Sequence, residues 1–308
     1  MKRQRGFIIQ IKDLRNLSYF SPASINRGEA KQGITANGIK RIASIAMILD
    51  HIGYLCSCAG PVEGALDFCR VMRAAGRISF PLFCFLLAEG MRRTTSIKRY
   101  ISRLLLCAAI SQYPYALFFG RGEARILKHE LAPIGLWLLC VISAMRLYTT
   151  VADRLRFSIS SCLVLCLLIF STEYGDAKLS VLCTYVSAAL LITSLSAMRV
   201  SRIPVMLGVG AAILFGRYFS YGTGGIIFPS VLWLFRDNRT WQSLSVVSWA
   251  IIEYSDCPLF SFCAATSAVC VLLYTGKRGG NMFPKGFSYW LYPGHLLLLS
   301  VLRDLFHP

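Results

Sequence analysis

Asp50 and His51 stand side by side in the apolar stretch Ile42–Ala59, and His295 stands alone in a second one, Phe287–Leu302. An ionisable side chain inside a long apolar run is costly, so each marks a candidate for chemistry. Histidine exchanges protons near neutral pH because its unperturbed pKa is about 6.5. Proton transfer is therefore the chemistry these residue types suit. The plain alternative for Asp50–His51 is a buried pair that holds helices together. For His295 it is a core histidine with its hydrogen bonds satisfied. Arg77 opens a third stretch, Ile78–Met91, and Glu89 closes it beside Arg92 and Arg93. Arg77 reads either as a site residue or as an interfacial anchor. Glu89 reads either as a site residue or as the partner of Arg92, Arg93 or Arg103.

The elements that must carry these residues follow from composition. Of 308 residues, 55% are hydrophobic and 16% charged, where soluble domains average about 25% charged. Mean hydropathy is +0.55. Too few charges remain to cover a water-soluble globule of this size. Disorder, a nucleic-acid module and a disulfide-stapled secreted scaffold are excluded on the same ground. Apolar stretches recur at Ile42–Ala59, Ile78–Met91, Ile101–Phe119, Leu131–Tyr148, Phe157–Phe170, Leu179–Met198, Ile203–Phe219, Ile226–Phe235, Leu244–Tyr254, Pro258–Thr275 and Phe287–Leu302. A helix needs about 20 residues to cross a bilayer. Ile226–Phe235 and Leu244–Tyr254 fall short and read as a re-entrant hairpin or as two tilted crossings. The expected fold is an all-α polytopic bundle of about 9–11 membrane-spanning helices.

The net charge of +18 reports topology and anionic lipid in such a chain rather than a nucleic-acid partner. With a cytoplasmic N-terminus, the segments on the cytoplasmic side carry 24 of the 33 basic residues. Those outside carry nine, together with Glu63, Asp67, Glu123, Glu130, Glu173, Asp176, Glu253 and Asp256. Lysine and arginine accumulate on the cytoplasmic side of membrane proteins, which sets the expected orientation in the inner, cytoplasmic membrane. Residues 1–38 read as a basic cytoplasmic tail without a secretory signal, and residues 39–308 as the membrane domain. Most of the twelve cysteines lie in apolar runs, where a free thiol is a small hydrophobe. Cys56, Cys58 and Cys69 lie near the outer end, where a disulfide is feasible. No Cys/His spacing suits a metal, so none is expected.

In this topology, Asp50–His51 and His295 each lie about 12 Å from the cytoplasmic end at 1.5 Å per residue. They share one depth and can meet in one cavity. Tyr292-Pro293-Gly294 precedes His295, and Gln112-Tyr113-Pro114 interrupts the third stretch. Proline removes a backbone donor, so a helix break and a polar cavity are expected beside His295.

Several of these segments resemble the TraX family: GIKRIASIAMILDHIGY (Gly38–Tyr54), the stretch Arg73–Leu117 with its GRISFPLF and AEG elements, EYG (Glu173–Gly175), YTGKRG (Tyr274–Gly279) and FSYWLYPGHLLLL (Phe287–Leu299). The likeness runs from about Gly38 to the C-terminus. Lys128–Leu139 departs from the family pattern by lacking its Asn and Thr, with His129 keeping one polar position.

The resemblance implies a membrane acyltransferase that moves an acetyl group from cytoplasmic acetyl-CoA to an amine or hydroxyl. Acetyl-CoA is then a co-substrate, with no permanently bound cofactor. The acceptor is a protein N-terminus, as in a pilin, or an envelope glycan or lipid. Such a reaction needs a general base, for which His51 is the candidate, oriented or kept basic by Asp50. His295 would align the acceptor or donate to the oxyanion. Lys277 and Arg278, with Arg92, Arg93, Lys98 and Arg99, are candidates for the CoA phosphates. Positively charged loops facing lipid are their plainer reading. Arg77, Glu89 and Arg103 are further candidate site residues. No G-x-S-x-G supports a covalent serine route. The rival class is a transporter or flippase, whose mark would be related halves; none is visible. Reporter fusions in Arg92–Arg99 and in Lys277–Lys285 should both report a cytoplasmic location, and an external signal from either overturns the orientation.

Overall fold

The computed structural model describes residues 33–58, 65–119, 180–196, 209–210, 213, 216, 219–280 and 286–306. The expected stretches Leu131–Tyr148 and Phe157–Phe170 lie outside these residues, as do His129, most of Ile203–Phe219 and nearly all of the basic tail. The described residues are helical, and their paired extended residues amount to an isolated bridge between Ile34 and Tyr274. In chain order the helices are α1 (Ala36–Cys58), α2 (Ala65–Gly76), α3 (Ser79–Arg93), α4 (Ile97–Phe118), α5 (Val181–Ser196), α6 (Gly222–Leu234), α7 (Arg239–Glu253), α8 (Pro258–Leu272) and α9 (Phe287–Phe306).

Local chemistry starts these helices where they start. Ser96 Oγ accepts from Arg99 N before α4, and Asn238 Oδ1 accepts from Thr240 N and Trp241 N before α7. These bonds satisfy amide donors that a first turn leaves without helical partners. Pro258 opens α8, where its missing N–H costs nothing. At α1 the amides of Ala36 and Asn37 donate to the carbonyls of Lys277 (2.9 Å) and Arg278 (3.0 Å). The packed structure thus reaches back to Gly33, before the boundary expected at residue 38.

The expected outer loop before Arg77 is instead the helix α2, which packs along α1. Its charges hid it, because Asp67, Arg70 and Arg73 dilute an apolar face of Cys69 and Ala74 that is buried. The two helices touch closely through glycines. A Cβ on Gly53 would lie 2.9 Å from Arg73 Cγ and Cys69 O, and one on Gly76 would overlap the backbone of Asp50. Arg77–Ile78 form a turn that joins α2 to α3, and α3 also lies against α1.

Two ends of the bundle are chemically distinct. At one end, Arg92 Nη1 donates to Arg236 O (2.9 Å) and Arg93 Nη2 to Gly276 O (2.8 Å). The start of α1 joins them there through the Lys277 and Arg278 carbonyls. Segments assigned to one side by charge counting therefore meet at one basic end. At the opposite end Arg303 of α9 reaches the last carbonyls of α4.

The outward faces of α1, α4, α7, α8 and α9 carry large apolar side chains, among them Ile45, Leu106, Ile252, Phe262 and Leu298. Glu89, Gln112, Gln242, Ser267 and His295 are buried inside. Apolar outward faces of this extent suit lipid better than water. By length and composition one described stretch, Asp67–Arg93, is long and apolar enough to cross a bilayer; Val181–Thr193, Gly222–Leu234 and Pro258–Leu272 are apolar but shorter. Among the described residues, length alone therefore marks fewer crossings than the 9–11 expected from the apolar pattern, roughly one per 20-residue span.

The helix breaks expected at the prolines do not form. Both α4 and α9 run through Pro114 and Pro293. Proline at 293 frees the carbonyl four residues back, at Tyr289, and the Cys107 thiol of α4 donates to it at 3.3 Å. A neighbouring helix thus satisfies what a break would have left to water.

Substituting Gly76→Ala should force α2 off α1 and lower stability by about 1–3 kcal/mol. Gly280→Ala, which meets nothing within 4 Å, is the control. Thermal unfolding in detergent reads the difference, and equal midpoints would contradict the close contact.

Candidate active site

His51 lies in the C-terminal half of α1, and α9 brings His295 to it: His51 Nδ1 and His295 Nε2 are 2.7 Å apart. The rings are within 21° of coplanar with centroids 4.9 Å apart. That is the geometry of an in-plane N–H···N bond rather than a face-to-face stack. His295 Nδ1 lies 2.7 Å from Leu291 O, a carbonyl that can only accept. Nδ1 of His295 therefore carries the proton, and its Nε2 presents a lone pair. His51 must then donate from Nδ1, which leaves its own lone pair on Nε2. The carbonyl of Leu291 thus fixes both tautomers through one chain of bonds. His295 is buried, and the His51 ring meets the edges of Phe118 and Phe119 at centroid distances of 5.4 and 6.2 Å.

Asp50 does not face His51. Successive helical residues diverge by about 100°, and Asp50 turns instead toward α2. Its Oδ1 accepts from Arg77 Nη2 at 2.6 Å and lies 3.9 Å from Arg73 Nε. The role expected for Asp50, orienting His51, is geometrically that of His295. Arg77 is largely buried, with its guanidinium over the rings of Tyr254 (5.7 Å) and Phe260 (5.2 Å). It joins α1 to the turn between α2 and α3 and is no isolated anchor.

Beyond Arg77 lies an aromatic cluster around Phe80. Tyr221 stacks on Phe80 at 3.7 Å, with Trp249 at 5.0 Å and Tyr185 at 5.8 Å. Trp249 Nε1, Tyr185 Oη and Thr184 Oγ1 are buried here without hydrogen-bond partners among the described residues. A Cβ on Gly224 would sit 3.4 Å from Glu253 Oε2 and 3.7 Å from Trp249 Nε1, so both groups lie against α6 at that glycine.

Glu89 is buried at the basic end. Arg239 Nη2 reaches its Oε1 at 3.0 Å, Arg93 Nε its Oε2 at 3.1 Å, and Arg92 Nη1 its Oε1 at 3.7 Å. A carboxylate held by three guanidiniums is a structural hub. Arg103 is not among its partners; its Nε donates to Arg99 O. Arg92 is also paired with Asp237 at 3.2 Å. Lys277 and Arg278 are exposed at the same end, and Lys40 is half-buried near them. Burial, with the charge of Arg278 beside it, pushes the Lys40 ammonium below its ordinary pKa.

Sequence reasoning missed Arg73, Arg239 and the Phe118–Phe119 wall. Arg73 is four residues before Arg77, a spacing that marks one helix face once α2 is recognised as a helix. Arg239 meets Glu89 across 150 residues, with no local signal to announce it.

An all-helical chain with a histidine pair in its interior and arginines gathered at one end is the class of protein defined here. The TraX protein family matches it over residues 35–175 and 151–303, and the chain belongs to that family, whose members are membrane proteins. The chain is also similar to the probable fimbrial assembly protein FimC, serogroup H1, of Dichelobacter nodosus, with 31% identity over 137 residues. That match covers 42% of this chain and 54% of the relative, so it spans about half of that protein's length. No solved structure matches.

Breaking the Asp50–Arg77 pair from either side should cost about 3–5 kcal/mol, because each change strands a buried charge. Asp50→Asn with Arg77→Gln should cost less than the two single changes added together. A thermal-unfolding cycle in detergent checks this, and strict additivity would contradict the pairing.

Proposed function

We propose that this chain is a multi-pass inner-membrane acetyltransferase that modifies a pilus or cell-envelope component, with its basic end in the cytoplasm. The observation that carries the reading is the His51–His295 bond, which leaves His51 Nε2 as a lone-pair nitrogen in the interior. Family membership and the fimbrial relative's name support the pilus or envelope context. The apolar outward faces support a lipid surround.

In this reading acetyl-CoA enters from the basic end, where Lys277, Arg278 and Lys40 meet its phosphates. Arg92 and Arg93 are largely engaged by Glu89 and Asp237 and contribute field more than direct bonds. The acceptor sits on the Arg77 side. There the partnerless donors of Trp249 and Tyr185 would bond its oxygens. His51 Nε2 takes the proton from the acceptor amine or hydroxyl as that atom attacks the thioester carbonyl. The tetrahedral intermediate then collapses: the C–S bond breaks, and His51 returns the proton to the departing sulfur. The lone pair on His295 Nε2 stabilises the His51 imidazolium between those two transfers. His295 is thus an orienting group rather than an oxyanion donor.

The test is purified full-length protein in detergent with radiolabelled acetyl-CoA and membrane extract, scored for acetylated product and for hydrolysis. His51→Gln keeps a polar side chain but cannot accept a proton, and should lower turnover by about 10²–10⁴-fold. Wild-type turnover at saturating acetyl-CoA would overturn the base assignment. In the same assay Lys277→Ala with Arg278→Ala should raise KM for acetyl-CoA, since each charge-assisted bond is worth about 1.5–3 kcal/mol. An unchanged KM would return these residues to a purely topological role.

A further inference from the structure

Arg303 lies on α9 eight residues beyond His295, about 12 Å along the helix axis. Its Nη1 donates to Leu117 O at 2.7 Å and to Phe118 O at 3.0 Å. Asp304 holds the other side of the guanidinium, with Oδ1 2.9 Å from Nε and 2.8 Å from Nη2. The last carbonyls of a helix have no intrahelical donors and carry the negative end of its dipole. A guanidinium offers several donors in one rigid plane, so it can cap two of those carbonyls while a carboxylate fixes its orientation.

The second of the capped residues, Phe118, begins the aromatic wall over His51. Phe118, 1% exposed, and Phe119 present their edges to the imidazole. Tyr54 closes the wall, 5.5 Å from Phe118 and 4.9 Å from Phe119. One helix, α9, thus controls His51 twice: His295 fixes its proton, and Arg303 anchors the wall that covers its ring.

We propose that Arg303 is a positioning residue that restricts access of water to the part-buried His51 imidazole, so that the acceptor rather than water is activated. The inference rests on His51 acting as the base. A base in a wet cavity would also activate water against the thioester, and water exclusion is what separates transfer from hydrolysis.

Two readouts test it on the full-length protein in detergent. The first needs no enzymatic activity: diethyl pyrocarbonate modifies unprotonated imidazole nitrogen, and peptide mass spectrometry reports its rate at His51. Arg303→Gln should raise that rate several-fold. Arg303→Lys, which keeps a cation at the carbonyls, should stay near wild type. Phe118→Ala, which opens the wall without touching Arg303, should match Arg303→Gln. Size exclusion confirms that each variant remains folded. Labelling of His51 at the wild-type rate in both Arg303→Gln and Phe118→Ala overturns the proposal. The second readout is the ratio of acetyl-CoA hydrolysis to acetyl transfer, which should rise in Arg303→Gln. A variant that merely loses stability lowers both activities together, and an unchanged ratio with faster labelling overturns the water-exclusion role. Absence of both activities in wild type, with labelling still governed by Arg303, would overturn acetyl transfer while retaining the restricted access.

Discussion

A carboxylate in an apolar helix is tolerable only beside a cation, and the contact between Asp50 and Arg77 meets that requirement. Much of the interior follows from it. Arg77 occupies the turn between α2 and α3, so the pair ties that junction to α1. The approach is close enough that Gly53 and Gly76 are required at the contact. Because Asp50 points toward α2, His51 points toward α9, and the neighbouring residues of one helix serve two different interfaces.

Glu89 imposes the same constraint at the basic end. Three arginines from two separate segments converge on one buried carboxylate. This ties the end of α3 to the start of α7, while Arg93 also reaches the segment after α8 through Gly276 O. The two charge centres bracket α3. Between them, Phe80 gathers aromatic side chains from α5, α7 and the start of α6, and Trp249 Nε1 and Tyr185 Oη lie among them without partners among the described residues. The charges therefore organise the interior, and apolar side chains face out.

In the proposed reading, the histidine pair prepares a base without a carboxylate. A backbone carbonyl on α9 sets the tautomer of His295, and His295 sets that of His51. A neutral orienting group stabilises an imidazolium less than a carboxylate does, yet it leaves no permanent charge to desolvate beside the base. The continuity of α9 through Pro293 matters here, because the Leu291 carbonyl and the His295 ring lie one turn apart on the same helix.

The sequence by itself determined the helical class and singled out Asp50, His51, His295, Arg77 and Glu89 as polar groups in apolar runs. Each of these follows from local composition, since a charge or imidazole within an apolar run must be paired or used wherever the chain goes. The motifs that resembled TraX proteins lie in those same stretches, and the family match confirmed the membership they suggested. Tertiary structure decided the partners. Asp50 reads as the natural neighbour of His51 along the chain, but helical geometry turns the two apart, and the actual partners stand 27 and 244 positions away. It also decided that α2 is a helix, because its apolar face is narrow and becomes legible only against α1. Helix α9 runs through Pro293, where Cys107, remote in sequence, donates to the carbonyl that the proline frees. Pairing depends on direction as well as depth, and an apolar pattern fixes only the depth.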